Sequence, residues 1–115
     1  MHEMSLAGGI LQVVEDAAAR EQFVRVKRLV IEAGALSGVE SRALRFSLEA
    51  LSPGTCLDGA EIQIDEPPGQ AWCLACGQTV EIRSRLDACP LCGGHQLQPT
   101  GGTALTVREL IVHED

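Results

Sequence analysis

Two short runs, Cys73-Leu74-Ala75-Cys76-Gly77 and Cys89-Pro90-Leu91-Cys92-Gly93, carry four of the five cysteines in the chain. Two intervening residues let both sulfurs of a run reach one ion, and the glycine that follows permits the positive φ that turns backbone N–H groups toward sulfur. Two such knuckles, twelve residues apart, complete an S4 shell from Cys73, Cys76, Cys89 and Cys92. Zn2+ is the leading occupant, because it has no electronic preference against tetrahedral geometry and is well stabilised by thiolates. With no coordination position left open, such an ion holds structure and does not activate water. A single-iron centre makes the same demand on the ligands, and paired disulfides or a C-x-x-C redox pair are the other readings. The odd cysteine count and the regular spacing favour one shared ion.

Three further residues of types that can ligate metals stand apart from the knuckles. Cys56 precedes Asp58-Gly59 and reads as a small, partly buried apolar side chain without a chemical role. His95 lies close enough to the second knuckle to replace a cysteine ligand under some condition, although a solvated loop histidine is the commoner case. His113 carries the same reading.

Met1-His2-Glu3 offers a different kind of site. An α-amine titrating near pH ~8 sits beside the His2 amide nitrogen and imidazole, all within reach of one ion. Amine, imidazole and deprotonated amide nitrogens form a planar nitrogen field, which suits Ni(II) or Cu(II). A lone histidine near a chain start is more often a surface residue. His2 is also large enough to disfavour removal of Met1.

The elements that must position these residues are legible in the hydrophobic pattern. Leu6, Ile10, Val13, Val14 and Ala17 recur at helical spacing, which predicts an amphipathic helix from about Met4 to Arg20, weakened at Gly8-Gly9. Val24 to Ala33 is rich in β-branched residues but alternates imperfectly, as a strand bulged near Lys27-Arg28 would. Ser37-Gly38-Val39-Glu40 has the form of a capping box that opens a second helix. Leu44, Leu48 and Leu51 give that helix its apolar face, with Phe46 or Ala50 at the margin, and Ser52-Pro53-Gly54 ends it. Ala60, Ile62 and Ile64 alternate with polar residues as a half-buried strand, closed by Pro67-Pro68-Gly69. Thr103 to Val112 turns β-rich again, which predicts a last strand rejoining the first sheet. The expected class is α+β: a small mixed sheet with two helices, and an inserted zinc-ribbon-like module. The expected division is residues 1–68 with 103–115, and residues 69–102.

The chain has 115 residues, nine Lys and Arg against sixteen Asp and Glu, and a net charge of −7, which disfavours non-specific nucleic-acid binding. The first residues lack the features of a secretory leader, and no apolar run is long enough for a membrane span. Reduced thiols and the absence of such signals favour the cytoplasm. No G-x-x-x-x-G-K-[ST] is present, and the single lysine, Lys27, follows no glycine loop, so any nucleotide step belongs to a partner.

Met1-His2-Glu3-Met4-Ser5-Leu6-Ala7, the Gly34-Ala35-Leu36-Ser37-Gly38-Val39 turn, Leu44-Arg45-Phe46 and the paired knuckles, in this order, resemble the HypA/HybF family of hydrogenase nickel-incorporation proteins. The resemblance spans essentially the whole chain. It implies a metallochaperone, not an enzyme, that carries Ni2+ to the large subunit of [NiFe]-hydrogenase together with a nickel-handling GTPase. It further implies nickel ligands at the Met1 amine, the His2 amide and imidazole and the Glu3 amide, with the Glu3 side chain influencing docking or release. The alternative is a zinc-ribbon module that binds protein or nucleic acid and transfers no metal. Arg83 and Arg85 beside Trp72 are its best surface, locally offset by Glu81 and Asp87.

Overall fold

A computed structural model describes residues 2–113. The element order is α1 (His2–Glu21), β1 (Val26–Ala33), α2 (Ser41–Leu51), β2 (Glu61–Asp65), β3 (Gly69–Cys73), β4 (Gln78–Ile82), β5 (Leu97–Gly101) and β6 (Leu105–Val112). The strands form two three-stranded sheets, ordered β2-β1-β6 and β4-β3-β5. The class is α+β, and the last strand does return to the first sheet, beside β1.

Two compact units divide the chain: residues 1–31, 39–64 and 107–115, and residues 32–38 with 65–106. In the first, α1 packs on α2. The stripe that α1 buries is Ala7, Ile10, Val14, Ala17 and Ala18. Val13, expected on that stripe, is 55% exposed, because the close helix approach uses the small side chains one position around. Helix α1 also begins at His2, earlier than the periodicity indicated, and runs through Gly8-Gly9. Tertiary packing of the apolar stripe outweighs the roughly 1 kcal/mol that each helical glycine costs.

The capping-box expectation is overturned. Glu40 is itself the N-cap of α2, its carboxylate accepting from the N–H groups of Arg42 and Ala43 at 3.2 and 2.9 Å. Ser37 belongs to an earlier turn, where its N–H donates to the Gly34 carbonyl, and Gly38 follows at φ 77. That left-handed glycine keeps the helix from starting sooner. On α2, Leu44, Ser47 and Leu48 are buried and Phe46 is 70% exposed, so the serine and not the phenylalanine faces inward. In β1 the consecutive residues Leu29, Val30 and Ile31 are all buried, which means that both faces of this central strand are covered. That explains why its alternation was imperfect.

The second unit is built on antiparallel pairing of β3 with β4 and with β5. Its buried cluster comprises Leu36, Ala71, Cys73, Val80, Ile82 and Cys89. Leu36 enters from the 32–38 segment, held by its N–H to the Gly102 carbonyl at 2.8 Å and by the Ala35 N–H to the Pro67 carbonyl at 2.9 Å. Gly34 makes this approach possible, since a Cβ there would stand 2.2 Å from the Gly102 oxygen.

Candidate metal centres

Strand β3 ends at Cys73 and β4 begins just past Gly77, so the first knuckle is the turn of a hairpin. The Gly77 N–H donates to the Cys73 carbonyl at 2.8 Å, and the second knuckle repeats this from Gly93 to Cys89 at 2.8 Å. Both glycines lie at positive φ, 66 and 75. The Cys76 N–H points at Cys73 Sγ and the Leu91 N–H at Cys89 Sγ, each at 3.4 Å, as thiolate sulfurs require. The two knuckles are tied together by Leu74 N–H to the Gln96 carbonyl at 2.9 Å.

All four sulfurs lie within 4.8 Å of one another. Cys73 and Cys92 Sγ are 3.7 Å apart and Cys76 and Cys89 Sγ are 3.9 Å apart, far beyond a disulfide. A zinc–thiolate tetrahedron with bonds of about 2.3 Å has sulfur–sulfur edges of about 3.8 Å, and these two separations match that edge. Cys73 and Cys89 are buried, Cys76 half-buried and Cys92 exposed, so one side of the site faces solvent. Backbone N–H groups of Cys92 and Leu91 draw the Cys89 thiol down to about 7. Cys92 and Cys73, crowding Cys76, push its thiol up to about 12. Four sulfurs this close cannot all ionise without a cation, so metal binding must release protons.

At the other candidate centre, His2 opens α1 with an exposed side chain, its Nδ1 3.8 Å from Glu3 Oε2. Met1 lies outside the described residues. Glu3 does more than sit in the first turn: its carboxylate accepts from the Glu40 N–H at 3.1 Å. That bond, chiefly, holds the Glu3 carboxyl below its ordinary value, with its own N–H and His2 adding to it. The first turn of α1 is thereby fastened to the N-terminus of α2, whose dipole favours a carboxylate there. Sequence reasoning missed Glu40 in this role; the partners are 37 residues apart and share no motif.

The remaining residues are elsewhere. Cys56 is buried in the first unit, its N–H donating to Glu15 Oε1 at 3.2 Å, and burial pushes its thiol up to about 11. His95 and His113 are exposed, and the latter's N–H donates to the Arg25 carbonyl at 3.2 Å. Among the described residues the four knuckle cysteines are the one cluster of potential ligands close enough to hold an ion.

The family model described as hydrogenase/urease nickel incorporation, metallochaperone, hypA matches residues 1–112. The chain belongs to the HypA family. It is 60% identical over 115 residues to the hydrogenase maturation factor HypA of Polaromonas naphthalenivorans, with both chains fully covered. It is also 60% identical to that of Cupriavidus necator, covering 99% of this chain and 96% of the relative. The fold is similar to the solution structure of the Ni metallochaperone HypA from Helicobacter pylori, with a TM-score of 0.68, 16% identity and 98% of each chain covered. HypA membership thus unites a nickel-incorporation family with a four-cysteine metal site compatible with zinc. No helix among the described residues is long and apolar enough to cross a membrane.

Proposed function

We propose that this HypA-family chain is a cytoplasmic, non-catalytic nickel carrier that loads Ni2+ at its first three residues and keeps a structural Zn2+ at Cys73, Cys76, Cys89 and Cys92. The nickel ligands are the Met1 amine, the His2 amide and imidazole and the Glu3 amide. The recipient is the large subunit of a [NiFe]-hydrogenase, reached with a nickel-handling GTPase. Relatives named as hydrogenase maturation factors at 60% identity carry this reading.

Two features of the first turn support it. N–H groups in the first turn of a helix have no intrahelical acceptor, so deprotonating those of His2 and Glu3 breaks no ladder bond. The exposed His2 imidazole is free to swing onto the same ion, while the Glu3 carboxylate, occupied by Glu40, keeps the turn in place. Planar nitrogen ligation suits Ni(II), though Cu(II) binds such donors more tightly, so supply and partner docking must set selectivity.

The test is nickel titration, read by calorimetry and d–d absorption, of the native-terminus protein, His2→Ala and a form extended ahead of Met1. One tight equivalent is expected in the first and none in the others. Equal stoichiometric binding by all three would leave the chain as a zinc-ribbon interaction module without this site.

A further inference from the structure

The second unit has two basic residues, Arg83 and Arg85, and both line one cavity of about 320 Å3 with Ser84, Ala35, Leu36 and Gly38. No carboxylate lines it. We propose that this cavity binds the carboxylate of an acidic, partly apolar peptide segment of a partner protein.

The wall is built before any ligand arrives. Asp87 accepts from the Arg83 and Ser84 N–H groups at 2.9 and 3.2 Å, and the Leu86 N–H donates to Ser84 Oγ at 3.1 Å, so the 83–87 turn has one shape. Asp87 Oδ2 is the acceptor of both backbone bonds, and among the described residues Asp87 forms no ion pair with either guanidinium. Arg85 Nε donates to the Leu36 carbonyl at 3.2 Å, which fixes the plane of its guanidinium and leaves the two terminal nitrogens for a ligand. Arg83 makes no side-chain bond or ion pair among the described residues, although it also borders a neighbouring cavity with Glu66 and Glu81.

Two guanidiniums match a carboxylate bidentately, and the Ala35 side of the cavity suits an adjacent aliphatic side chain. The net charge of −7 repels a polyphosphate backbone, charged on every unit, more than a segment whose carboxylates alternate with apolar residues, so nucleic acid is the poorer occupant. This inference concerns the second unit alone and does not depend on where nickel binds.

The experiment uses the full zinc-loaded chain and a fluorescein-labelled hexapeptide alternating Asp and Leu, read by fluorescence anisotropy, with the Asn-for-Asp peptide and a single-stranded oligonucleotide as competitors. Salt-sensitive binding is expected, with amide shifts confined to residues 35–38 and 83–87 and an affinity about tenfold lower in Arg83→Gln, the loss of one charge-assisted pair. Arg85→Lys is expected to weaken binding too, since an ammonium cannot serve Leu36 and the ligand together. Zinc content and circular dichroism establish that each variant is folded; the Arg83 guanidinium supports nothing in the chain, so that variant decides even if Arg85→Lys misfolds. Equal affinity of the parent and Arg83→Gln, equal binding of the Asn peptide, or displacement by the oligonucleotide at lower concentration than the Asp peptide overturns the proposal.

Discussion

The first turn of α1 and the cysteine knuckles solve opposite problems. At the knuckles, four side chains from two turns converge, two of them buried, and each pair is held by its own glycine turn and N–H···S bonds. Such a shell must be dismantled before an ion can leave. The proposed nickel ligands are backbone groups and one exposed imidazole at a helix end, where the Glu3 carboxylate accepts from the N–H of Glu40. On the proposed function, retention would come from ligands belonging to a core, and release from ligands at a helix end. Cys73 and Cys89 are part of the second unit's buried cluster, so the metal and that fold are one system.

The largest effect should come from removing the metal. A structural zinc, the ion proposed for this site, contributes about 10–16 kcal/mol in sites of four such ligands. Chelation, or Cys89→Ser, is expected to abolish amide protection at Ala71 and Val80 while Val14 and Leu48 stay protected, measured by hydrogen exchange. Persistent protection at Ala71 would break the contrast. Next comes Leu48→Ala in the other unit, where a fully buried side chain is lost from α2. A destabilisation of about 2–5 kcal/mol in denaturant unfolding is expected, with zinc content unchanged. Gly34→Ala forces a Cβ onto the Gly102 backbone and should cost about 1–3 kcal/mol, shown as a lower Tm and faster zinc loss to a chelator.

The smallest effect sharpens the comparison most. Glu3→Gln should lower Tm slightly at neutral pH and leave zinc retention untouched. The Glu3 carboxyl is depressed below its ordinary value of 4.5 in the folded state. Its contribution is therefore complete above that value and is lost as pH falls through the folded value. The Tm difference between parent and variant should vanish in acid; a difference that grows there would show that Glu3 is not held as a carboxylate.

Much of the molecule was legible because its signals are local. The knuckles were read from spacing, β6 from β-branched content, and the end of α2 from Ser52-Pro53-Gly54, where Ser52 is the C-cap and Gly54 has φ 81. The errors have two causes. Ser37 and Glu40 have capping-box spacing, yet a glycine between them adopts φ 77 and Glu40 caps alone. Val13 and Phe46 have the hydrophobicity of core residues, but Ala17, Ala18 and Ser47 take the buried positions, because close helix packing selects size as well as polarity.

By itself, the sequence determined that four sulfurs would be offered in two matched pairs, and it raised a chelating tripeptide at Met1-His2-Glu3 as an expectation. Chelation within a knuckle or a tripeptide is a matter of a few covalent bonds, so chain neighbours suffice. Only the tertiary structure decided that Glu40 holds Glu3, that Leu36 completes the core behind Cys73 and Cys89, and that Arg83 and Arg85 open on one cavity. Those contacts join residues far apart in the chain, and their geometry is set by which surfaces pack together.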